Sequence, residues 1–82
     1  MASLSILNAS GDTTITWDER AFATGDPDAL AAVAEAERLF AEARAAGGVA
    51  FRVESGSPTQ RVTTLEPGAA DEILIVPRMV GG

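Results

Sequence analysis

Asp71-Glu72-Ile73-Leu74-Ile75-Val76-Pro77 is the stretch that decides the fold. Its four central residues are uninterrupted and apolar, and three of them are β-branched. A run of that kind, unrelieved by polar alternation, reads as a central strand, buried on both faces or flanked by strands on both sides. Pro77 closes it, since proline has no N–H to give a central ladder. A sheet is therefore expected to be built around residues 72–76, and the remaining elements have to be its neighbours and its cover.

Working back, Gln60 to Leu65 is a weaker strand whose Arg and Thr content suits an edge. Ser55-Gly56-Ser57-Pro58 reads as the turn before it, and Glu66-Pro67-Gly68 as the break after it. Val49-Ala50-Phe51-Arg52-Val53-Glu54 alternates, which predicts a strand with Val49, Phe51 and Val53 turned inward. Upstream lies an alanine-rich helix. Asp26 can cap its first N–H groups, Pro27 suits the first helical position, and Asp28 meets the positive end of the dipole. The helix is expected to run to about Ala46, with Gly47-Gly48 as the left-handed stop. At 100° per residue Ala29, Ala32, Val33, Ala36, Leu39, Phe40 and Ala43 share one stripe. Glu35, Arg38 and Glu42 fall opposite. Asp18 to Gly25 reads as a connection. Leu4-Ser5-Ile6-Leu7 and Thr13-Thr14-Ile15-Thr16-Trp17 read as a hairpin around the turn formers of Asn8 to Asp12, with Ile15 and Trp17 on one face.

The order is strand, strand, helix, strand, strand, strand. A right-handed crossover places the helix on one face of the sheet and the first and last strands side by side and parallel. The predicted class is α+β, a β-grasp arrangement of one long helix on a mixed four- to five-stranded sheet. Residues 1–76 form the domain and residues 77–82 an extended C-terminal tail, which spans up to about 20 Å.

Composition narrows the function. The chain has 82 residues, and sixteen of its apolar residues are alanine, which leaves enough larger side chains for a single core. Cys and His are both absent, which removes thiolate zinc sites, disulfides, thiol nucleophiles and the commonest general base. Lys is absent too, so all six positive charges are Arg, against twelve acidic residues. A net charge of −6 argues against nucleic acid or an anionic membrane as partner. No segment has the length of a membrane span, and the N-terminus lacks the basic region of a signal peptide. A cytoplasmic protein that is not an enzyme is expected.

The closing residues carry a resemblance. An acidic turn, the apolar strand 73–76, the short tail Pro77-Arg78-Met79-Val80 and a terminal Gly81-Gly82 resemble the ubiquitin-like β-grasp carriers. That family includes the bacterial sulfur carriers of the molybdopterin and thiamine pathways. Pro77 falls where the molybdopterin-type carriers place the first of two prolines, and Met79 where related carriers keep an apolar residue. Arg78 falls where ubiquitin has an arginine near its tail. The resemblance implies that a partner enzyme adenylates the Gly82 carboxylate, for sulfur transfer or for conjugation to a protein amine. It implies that Gly81 and Gly82 enter that partner's channel, that Pro77, Arg78, Met79 and Val80 are read by the partner, and that the chain itself holds neither cofactor nor metal. A sulfur-acceptor or target protein would be a second partner. The alternative expectation is a non-catalytic β-grasp adaptor or phage-type assembly module in which Gly-Gly is incidental. Asp26, Asp28 and Trp17 are read as two capping-turn carboxylates and a core aromatic, not as ligands.

Overall fold

A computed structural model describes residues 1–7, 12–69 and 71–77. The chain forms a small α+β domain: a five-stranded mixed sheet with one long helix packed on it. The elements are β1 (Ala2–Ile6), β2 (Thr13–Trp17), a short helix α1 (Glu19–Ala23), α2 (Pro27–Ala45), β3 (Val49–Glu54), β4 (Ser57–Val62) and β5 (Glu72–Val76). Strand order across the sheet is β2-β1-β5-β3-β4. β5 lies at the centre, parallel to β1 and antiparallel to β3, as its unbroken apolar sequence predicts.

Helix α2 begins as its sequence dictates. Asp26 accepts a hydrogen bond from the Ala29 N–H at 3.1 Å, and Pro27 occupies the first turn, where its missing donor costs nothing. Gly47, with φ of 93°, ends it in the left-handed region. Ala29, Val33, Ala36 and Phe40 are the buried face. Val33, Ala36 and Phe40 join Ala2, Leu4, Trp17, Ala50, Ile73 and Ile75 of the sheet in one core. Leu4, Val33 and Ile75 are the largest side chains fully removed from water, each worth roughly 1.5–3 kcal/mol. Opposite, Arg38 bridges Glu35 and Glu42, the latter at 2.6 Å, on a solvated surface.

Four sequence expectations are corrected. The segment Asp18 to Gly25, read as a connection, contains α1. Asp18 caps it by accepting from the N–H groups of Arg20 and Ala21 at 2.9 and 3.4 Å. Five residues are too short to show a helical period, so only the cap and Glu19 in the first turn signalled it. β1 starts at Ala2 rather than Leu4, because Ala2 pairs with Trp17 and packs beneath the helices. The turn predicted over residues 55–58 is a two-residue hairpin loop, Ser55-Gly56, with φ of 52° and 81°. Both residues at positive φ match the twist of the flanking strands, so Ser57 and Pro58 already belong to β4. Proline is tolerated there because β4 is an edge. β4 correspondingly ends at Val62, short of Leu65.

The fourth correction concerns phase. Val49, Phe51 and Val53 were expected inward, yet Ala50 is the β3 residue in the core, 1% exposed. Ala50 stands opposite Ile75 and Phe51 opposite Leu74. Ala50 shares the core under α2 with Phe40, Leu4 and Ile75, where a short side chain lets helix and sheet approach closely. The bulkier alternate residues of β3 go to the helix-free face beside Leu74 and Val76, each half-buried.

Candidate functional site

Among the sequence-predicted site residues, Pro77 is described: it is exposed and immediately follows Val76, whose strand partner is Val49. Arg78, Met79, Val80, Gly81 and Gly82 lie outside the described residues, so the expected tail is not placed by the structure. The site can be built up to its root.

That root is well defined. The Leu7 N–H donates to the Ile75 carbonyl at 3.1 Å, which extends the β1–β5 ladder to the end of β5. Pro77 lies on the rim of a hollow of about 320 Å³ between the C-terminal end of α2 and the ends of β1 and β5. Ile6, Leu7, Ala43, Ala46, Gly48 and Ile75 line it, so its wall is apolar. Gly48 makes the close approach possible. A Cβ there would sit 2.8 Å from the Ala43 carbonyl oxygen and 3.2 Å from Ile75 Cγ2, distances that leave no room. Its N–H donates to that same Ala43 carbonyl at 2.9 Å and ties the end of the helix to the start of β3. The hollow can accept an apolar side chain but offers no acid, base or nucleophile.

The helix-free face of the sheet is a second feature near the root. Val49, Phe51, Val53, Leu74 and Val76 form a half-buried apolar stripe across β3 and β5, flanked by Ser3, Ser5, Thr14 and Thr16 on one side and Arg61 on the other. Sequence reasoning missed this stripe because it assigned the β3 residues to the core. The parallel β1–β5 register, which forces Leu74 and Val76 to the open side, was the signal that could have found it.

A polar cleft of about 200 Å³ lies beside the start of β5, where Asp71 precedes the strand. Arg52 spans it, donating to Gln60 Oε1 at 3.2 Å and lying 3.4 Å from Asp71 Oδ2, while its Nε is buried without a partner. Arg61 and Glu66 also line the cleft, so its charge balances. Trp17 is a core residue, 4% exposed, whose indole N–H donates to the Pro67 carbonyl at 2.9 Å and anchors the loop between β4 and β5.

Among the described residues no group of three or more acidic side chains is arranged to hold a metal ion, and no helix is long and apolar enough to cross a membrane. No family model, curated protein or solved structure matches the chain at a significant level.

Proposed function

We propose that the chain is a β-grasp carrier or modifier of the ubiquitin-like kind, working through the carboxylate of Gly82. One observation carries this reading: the strand after which the tail begins is the central strand of the sheet, held by β1 on one side and β3 on the other. A thread used as a chemical handle needs a root that does not yield when a partner grips it. Pro77 stands at that root, with six residues from there to Gly82. Glycines at 81 and 82 carry no Cβ, so they suit a channel too narrow for other residues.

The chemistry belongs to the partner. A Gly82 carboxylate oxygen attacks the α-phosphorus of ATP, pyrophosphate leaves, and an acyl-adenylate forms. A sulfur nucleophile or a protein amine then displaces AMP, giving a thiocarboxylate or an amide. The chain, without Cys or His, supplies only the acyl group and the surface that is recognised. Pro77, Arg78, Met79 and Val80 are the residues assigned to that recognition. The lack of Lys favours sulfur carriage or single-copy modification over lysine-linked chains of the protein itself.

The test is intact mass after incubation with ATP and candidate adenylating enzymes. The expected product is an adenylate, or a species heavier by the difference between sulfur and oxygen. Removing Gly81-Gly82 should abolish it, and Arg78→Glu should weaken it without changing the melting temperature. An unmodified mass with every candidate enzyme from the neighbouring genes rejects the carrier reading. The half-buried stripe of Val49, Phe51, Val53, Leu74 and Val76 favours a second reading, an adaptor or phage-type assembly module that binds through its sheet. Tail or capsid genes beside this one, together with an inert Gly82, would select it.

A further inference from the structure

The two edges of the sheet are built differently. Edge strand β4 carries Pro58 and Arg61 and is offset by an irregularity opposite Arg52/Val53, devices that discourage another strand from pairing. Edge strand β2, Thr13-Thr14-Ile15-Thr16-Trp17, has no charge, no proline and no break in its register with β1. Its outward groups follow from the ladder. Ser3 and Leu7 donate to Asp71 and Ile75, so they and Ser5 turn their backbone toward β5. Ala2, Leu4 and Ile6 therefore turn theirs toward β2, meeting Trp17, Ile15 and Thr13. The N–H and C=O groups of Thr14 and Thr16 point away from the sheet. Among the described residues nothing pairs with them.

A hollow of about 200 Å³ adjoins this edge at its Thr16–Trp17 end. Its floor is apolar, from Trp17, Ala21 and Ala29, and its rim carries Asp18, Asp26 and Asp28. Each of Asp18 and Asp26 has one oxygen engaged in a helix cap, and among the described residues no cation pairs with any of the three. An apolar floor beneath a carboxylate rim matches a side chain with a hydrocarbon stem and a cationic head.

We propose that the free edge of β2 receives an extended segment of a partner protein carrying Lys or Arg, which pairs with Thr14 and Thr16 while one cationic side chain enters the adjoining hollow. Backbone pairing supplies the attraction, and charge complementarity with Asp18, Asp26 and Asp28 selects a basic strand. A second copy of this chain is the disfavoured occupant, since each copy bears a net charge of −6. This surface lies at the opposite end of the sheet from Pro77, and the proposal goes beyond the role of Gly82.

The experiment titrates the full, isotope-labelled chain with the capped peptide Val-Lys-Val-Lys-Val and with its Glu counterpart. The Lys peptide is expected to shift the amide resonances of Thr14 and Thr16, slow their hydrogen exchange, and bind less tightly as salt rises. Thr16→Pro removes an outward N–H that the fold does not use, so affinity should fall by up to about tenfold with the fold intact. Thr14→Pro serves the same purpose if the first variant fails to fold. Asp28→Asn, which leaves the Asp26 cap in place, should weaken binding about 2- to 5-fold at low salt. No shift with the Lys peptide, equal binding of the Glu peptide, or an unchanged affinity in both proline variants overturns the proposal. So does a concentration-dependent dimer that protects Thr14 and Thr16 without peptide.

Discussion

At Trp17 a single side chain joins three parts of the molecule: strand β2, the helical face above it, and the loop that reaches β5 through Pro67. Trp17→Phe keeps most of the packing and loses the indole donor, so unfolding in urea should show a loss of about 1–2 kcal/mol. Trp17→Ala also opens a cavity and should cost about 3–5 kcal/mol. Gly48 is constrained by space, because a Cβ there meets the end of α2 and the side chain of Ile75. Gly48→Ala pushes a methyl into the Ala43 carbonyl and Ile75, and should destabilise by about 1–3 kcal/mol on the same assay. A neutral or stabilising result would mean that the helix end can retreat, and the close approach described here would be wrong.

Elements show best what the sequence could and could not tell. Helix α2 was legible because Asp26-Pro27 and Gly47-Gly48 are local signals that act on their own backbone, and β5 because four apolar residues in a row, three of them β-branched, suit a strand flanked on both sides. The phase of β3 was not legible. Alternation identifies two faces, but which face is inward depends on how much volume α2 leaves, and that is settled only in the packed sheet. Two substitutions separate the alternatives. Ala50→Leu should cost about 1–3 kcal/mol by overpacking, whereas Phe51→Thr on the open face should cost less. The reverse order would restore the original inward assignment of Phe51. α1 escaped notice for a different reason: one turn of helix lives on a cap and on contacts with α2, not on a period. Helix α2 also has a pH signature. The hydrogen bond from Arg38 holds the Glu35 carboxyl below its ordinary value. A depressed carboxylate contributes stability that is complete above the unfolded-state value and disappears as the pH falls through the folded-state value. Glu35→Gln should therefore flatten the acid limb of a pH–stability curve slightly, and leave the slope near neutrality untouched.

For the molecule as a whole, the organising contact is the pairing of β1 with β5, which sets Ser3 beside Glu72 and Ile6 beside Ile75. β2 is placed by β1 and β3 by β5, and β4 is placed in turn by β3. The same pairing separates two surfaces, with Pro77 at one end and the Asp-rimmed hollow at the other. It also governs how the chain can come to be folded. Nearly the full length of polypeptide has to be looped before the middle of the sheet can close, and that entropy is spent before any long-range contact repays it. A chain truncated after Asp71 lacks the strand that joins β1 to β3, so neither its hairpins nor its helix has a sheet to pack on. It should give the circular dichroism and rapid amide exchange of an unfolded polypeptide, and acquire protection in one cooperative step once Glu72 to Val76 is added.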